Sequence, residues 1–127
     1  MTSKIFTVTA IVESLTGLAL LAAPALVTRI LLGTDITMPV EFTLARVAGS
    51  GILALGVACW LARNDQESRA AMALLSGMLV YNISTLVTLA YFGIVSETTV
   101  ALIAALIAHF FLAAGCILSL RNFNRMN

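Results

Sequence analysis

TTVALIAALIAHFFLAAGCILSL, residues 98–120, is the stretch that decides how this chain folds. It holds no Asp, Glu, Lys or Arg, and its one titratable ring is that of His109. At 1.5 Å per residue it is long enough for the roughly 30 Å of hydrocarbon in a bilayer, which takes about 20 apolar residues to cross. Three more runs of this kind precede it, at about residues 5–32, 41–61 and 70–92. Each carries one strongly polar or ionisable residue in its body: Glu13, Arg46 and Asn82, with His109 in the fourth. A polar group placed in lipid needs a protein partner or a wet cavity, so the four are expected to face one another.

Composition agrees with this reading. Hydrophobic residues make up 61% of the chain and charged residues 10%, which is too apolar for a soluble domain with a polar surface. A net charge of +1 leaves no basic face for nucleic acid. The expected fold is an all-α membrane protein, one domain over residues 1–127, forming a four-transmembrane-helix antiparallel up-down bundle, because the connections are short. Gly33 suits a helix C-cap, Pro39 lies just before the second span, and Asn64, Asp65 and Ser68 are natural helix starters. Gly93 and Ser96 punctuate the third connection. Pro24 lies inside the first run and lacks an N–H, so a kink, a tilt or an outer part lying along the interface is expected there. Ala23-Pro24-Ala25 imitates a signal-peptide cleavage site, but Glu13 interrupts the apolar region and Lys4 is a thin positive flank, so the segment reads as a retained span.

Lys4, Arg63, Arg69, Arg121 and Arg125 fall on one side of the spans and Arg29 and Arg46 on the other, which puts both termini in the cytoplasm. Trp60 and Tyr91 suit interfacial belts at opposite ends. Small residues at helix-packing spacing (Ala45/Gly49, Gly51 and Gly56, Ala101/Ala105, Ala104/Ala108) read as contacts within the bundle, or else as a homodimer face.

Depth counting places Glu13 roughly 12 Å, His109 roughly 16 Å and Asn82 roughly 18 Å from the cytoplasmic ends, with Arg46 nearer the outer mouth. Thr9, Glu13, Thr16, Gly17 and Leu20 form one helical stripe, small and polar enough to face inward. Thr43, Arg46, Gly49 and Ser50 form another. Glu13 reads in two ways: as a carboxylate neutralised by Arg46 or hydrogen-bonded to Asn82, or as one that takes up a proton or meets a cationic ligand. Whether Arg46 reaches it decides between them. His109 is either a neutral ring bonded to a carbonyl, Glu13 or Asn82, or a proton relay or ligand contact. Asn82 suits an interhelical hydrogen bond. Arg46 suits an outer anchor or an anion-binding residue, and Tyr81 and Thr85 share a face from which hydroxyls reach a pocket. Cys59 and Cys116 lie at matching depth, but Cys59 points roughly 140° away from the direction of Arg46 at 100° per residue, which argues against a pair. No zinc spacing occurs, and haem would need a second ligand beside the single histidine. The sequence specifies no cofactor.

The four spans, the first-span Glu13, and the stretch from Ala45-Arg46-Val47-Ala48-Gly49 through Leu55-Gly56 to Cys59-Trp60-Leu61 resemble the DoxX-like small bacterial membrane proteins. That resemblance covers mostly the first two spans. It implies a four-helix bundle in the inner (plasma) membrane, often with redox or quinone-linked partners, and carries no catalytic residue onto this chain. In position, Glu13 is also similar to the first-span glutamate of the small multidrug resistance transporters, although their aromatic-rich spans and weak Lys/Arg bias are missing here. The expected function is non-enzymatic binding of an amphipathic ligand (a lipid or quinone) or a membrane partner, through a pocket involving Glu13, Arg46, Tyr81, Asn82 and His109. The rival is a proton-coupled transporter using Glu13. An enzyme is disfavoured, because no nucleophile triad order, metal-ligand cluster or phosphate loop occurs.

Overall fold

Local chemistry sets each helix end. Pro24 has no N–H to continue the ladder, and the backbone breaks at Ala23 (φ −140°, ψ 61°), so the first apolar run is two helices. These are α1 (Thr2–Ala22) and α2 (Pro24–Leu32). The kink, tilt or interfacial outer part expected at Pro24 in the run over 5–32 takes the form of this break. Gly33 ends α2 in the left-handed region (φ 69°), its N–H bonding the carbonyl of Arg29. Pro39 opens α3 (Pro39–Ala62), where the Glu41 carboxylate accepts the N–H groups of Thr37 (2.7 Å) and Met38 (2.8 Å). Ser68 caps α4 (Arg69–Val95) by accepting from the N–H of Ala71 at 3.0 Å. Thr99 caps α5 (Val100–Met126) by accepting from the N–H of Leu102.

The structure is a computed structural model that describes residues 2–65 and 68–126, with side chains as far as 123. The side chain of Arg125, one of the residues behind the expected orientation, lies outside the described residues. Among the described residues, α1, α3, α4 and α5 are each long and apolar enough to cross a membrane.

α1 packs most extensively on α3, and α4 on α5. Glycines make the first contact close. A Cβ on Gly17 would lie 2.6 Å from the backbone N of Leu53, and one on Gly49 2.9 Å from the carbonyl O of Gly17. Gly56 meets Ser14 and Ala10 in the same way, so residue numbers rise along α1 as they fall along α3. In a bilayer such contact would let van der Waals packing replace the apolar drive between helices. Gly51, by contrast, faces open space.

The two halves of the molecule are filled differently. Phe6, Ala10, Cys59, Ala71, Leu75, Met78 and Cys116 form one buried apolar cluster drawn from α1, α3, α4 and α5. Beyond it, on the side of α2, the helices line a partly open cavity of about 470 Å³.

Candidate functional site

Glu13 stands where the packed half meets the hollow one. It is 2% exposed and lines the cavity. One turn below it, Thr9 is fully buried in the packed half, and one turn above it Thr16 and then Leu20 line the cavity. The polar stripe foreseen on α1 thus runs along the inner wall, except that Gly17 turns to α3.

Tyr81 donates its hydroxyl to Oε2 of Glu13 at 3.1 Å, while the other oxygen, Oε1, is buried and has no partner among the described residues. Beside it, the ring of His109 meets that of Tyr81 edge to face, with centroids 5.7 Å apart. Asn82 is fully buried behind the ring. Its Nδ2 donates to the carbonyl of Met78 at 2.7 Å, which turns Oδ1 toward Nδ1 of His109 at 2.8 Å. An amide oxygen has no hydrogen to give, so Nδ1 of His109 carries the proton and Nε2 of the neutral ring is an acceptor. Glu13, Tyr81 and His109 line the cavity as its polar floor, with Asn82 behind them, and Thr85 lies one turn further along α4 in its wall.

Arg46 is not part of this group. Its side chain is exposed, and its Nε donates to the carbonyl of Leu21 at 3.3 Å, in the last turn of α1 where the break before Pro24 leaves carbonyls without helical partners. Neither Arg46 nor Asn82 reaches Glu13: its partner is Tyr81. The α3 stripe expected to face inward is likewise exposed at Thr43, Arg46 and Ser50. The hydroxyls of Thr43 and Ser50 bond the carbonyls of Pro39 and Arg46 one turn back, so they need no partner across the bundle.

Two features were missed in the sequence. α2 supplies cavity wall through Val27, Thr28 and Leu31, and Thr99 holds it there by donating its hydroxyl to the carbonyl of Leu31 at 2.7 Å. The only forewarning was Pro24, which permits a turn without specifying its direction. Cys59 and Cys116, judged to point apart, both lie fully buried in one cluster as free thiols, Cys59 with its Sγ 3.4 Å from Sδ of Met78. Cys59 does point away from the direction of Arg46, but Arg46 points outward, so Cys59 turns into the cluster.

The alanines foreseen as packing contacts serve a different end. Ala101, Ala105 and Ala108 line the cavity, as do Ala45 and Ile52 on the facing helix, and their short side chains leave the space unfilled. No three or more His, Cys, Asp or Glu side chains gather as a metal site among the described residues. No family model matches the chain, nor does any curated protein sequence or solved structure, so its own residues carry the reading.

Proposed function

We propose that this protein is a multi-pass inner-membrane bundle of four antiparallel spans, with cytoplasmic termini, that binds an amphipathic molecule without catalysing its conversion. The observation that carries this reading is the cavity of about 470 Å³, lined mostly by apolar side chains, with Glu13, Tyr81 and His109 grouped in its lining. Its volume falls within the range of small-molecule sites, about 300–1,000 Å³. A chain-bearing lipid or quinone would lay its apolar part along α2 and the alanine face of α5 and its head on the polar floor. The DoxX-like resemblance of the second span is consistent with such a ligand and with a membrane-protein partner or a second copy of the chain. Mass spectrometry of the protein released from nanodiscs would detect the retained amphiphile. A bundle carrying none, with photoactivatable lipid failing to label α2 or α5, would overturn the proposal.

The buried, unpartnered Oε1 of Glu13 supports a second reading, a proton-coupled transporter. A carboxylate that alternates between a proton and a ligand needs to be free of a fixed counter-ion, and Arg46 is engaged elsewhere. That reading requires substrate-dependent proton movement in proteoliposomes that disappears in Glu13→Gln. A steady pH in the vesicles with every cationic amphiphile tested would exclude it.

A further inference from the structure

The polar floor has an imbalance of hydrogen-bonding groups that narrows what it accepts. The hydroxyl hydrogen of Tyr81 is spent on Oε2 of Glu13. The Nδ1 hydrogen of His109 is spent on Asn82, and an Nδ2 hydrogen of Asn82 on the carbonyl of Met78. What remains on the two cavity-lining groups beside Glu13 is a lone pair on Nε2 of His109 and the Tyr81 oxygen, which the Thr85 side chain also bonds. Glu13 adds a carboxyl group that lines the cavity, and its Oε1 is buried without a partner among the described residues. Among the described residues no Lys or Arg lines the cavity; Arg46 is exposed and bonded to Leu21, and Arg29 is exposed and paired with Asp35. On these three groups the free positions are acceptors when Glu13 is ionised, one of them on a carboxyl group that lacks a counter-ion; the other polar groups of the lining are the hydroxyls of Thr16, Thr28 and Thr85.

We propose that the cavity binds a single-chain amphiphile whose head is a protonated primary amine, with the ammonium on Oε1 of Glu13 and its remaining N–H groups directed to His109 and Tyr81. This rests on the pocket reading above and deepens it. An ammonium offers three donors and a positive charge, which matches the floor in number and in sign. A carboxylate or phosphate head would set acceptors against acceptors and an anion beside Glu13. A carbonyl head would bring no donor at all. The apolar walls from Leu20, Val27 and Leu31 to Ala101 and Ala105 then take the chain.

The test uses the whole protein in phosphatidylcholine nanodiscs with four probes of one chain length: dodecylamine, dodecyltrimethylammonium, dodecanol and dodecanoate. Native mass spectrometry reads the bound fraction of each, against Ala105→Phe as the variant with its cavity filled. Dodecylamine is expected to bind at least about tenfold more tightly than the trimethylated probe, which keeps the charge but has no N–H, and than dodecanoate. Glu13→Gln is expected to weaken dodecylamine at least about tenfold and to change dodecanol by less than about twofold. Should Glu13→Gln fail to fold, the ranking of the four heads on the unaltered protein decides. Equal binding of dodecanoate or dodecanol and the amine overturns the amine assignment and leaves the pocket reading standing. No probe bound above the level of Ala105→Phe overturns both.

Discussion

Asn82 shows how one side chain can set the chemistry of another. With Nδ2 held by the carbonyl of Met78, its oxygen fixes the proton of His109 on Nδ1. Nitrogen-15 NMR of labelled histidine should therefore report the Nδ1–H tautomer, and Asn82→Leu should release the ring to the ordinary mixture, at a stability cost of about 1 kcal/mol. A wild-type ring protonated on Nε2 alone would contradict the arrangement. Tyr81 plays the corresponding part for Glu13. Tyr81→Phe leaves both buried carboxylate oxygens without a protein donor and is expected to destabilise the fold by about 1–3 kcal/mol in detergent unfolding. That Glu13, Asn82 and His109 would gather could be read from the sequence, because lipid penalises each one alone; Arg46, expected with them, stays outside the group. Which pairs form could not, since depth along a helix is countable from sequence but rotation about its axis is not. Arg46 is the instructive case: its depth near the outer mouth was readable, and its outward rotation, with the carbonyl of Leu21 as acceptor, depends on a helix break twenty-odd residues earlier.

Among the elements, the α1–α3 contact leaves the least room for change. Gly17→Ala would drive a Cβ to 2.6 Å from the backbone N of Leu53, so the helices must separate, at a cost of about 1–3 kcal/mol. Gly51→Ala on the same helix pair meets nothing within 4 Å and is expected to be neutral or to stabilise by about 0.5–1 kcal/mol through helix propensity. Comparing the two variants by thermal unfolding separates close packing from propensity; equal effects would show that the helices do not touch there. Helix ends were the most legible features, because Gly33, Pro39 and Ser68 act through neighbours within four residues. α2 was the least legible. Its course depends on Thr99, which caps α5 and also holds the carbonyl of Leu31, a contact made across 68 positions of sequence.

Taken whole, the molecule divides into a packed half and a hollow half with a polar layer between them. Phe6, Leu75, Met78, Cys59 and Cys116 fill the first so closely that each is fully buried. Both thiols should accordingly resist maleimide in the folded protein and react once it is unfolded; rapid native labelling would show that half to be open. In the other half, alanines on α5 and the turn into α2 keep space that larger side chains would close. Hydropathy revealed the four helices long and apolar enough to cross a membrane, since a run of apolar residues states its own length. It is silent about the cavity, because alanine at Ala101, Ala105 and Ala108 serves equally for close packing and for empty space. The most direct test of that space is native mass spectrometry of the protein released from nanodiscs, beside Ala105→Phe. The expected result is one amphipathic molecule retained per chain by the wild type and none by the variant, with both equally folded. Retention by neither, or equally by both, would contradict a ligand seated on the Glu13 floor.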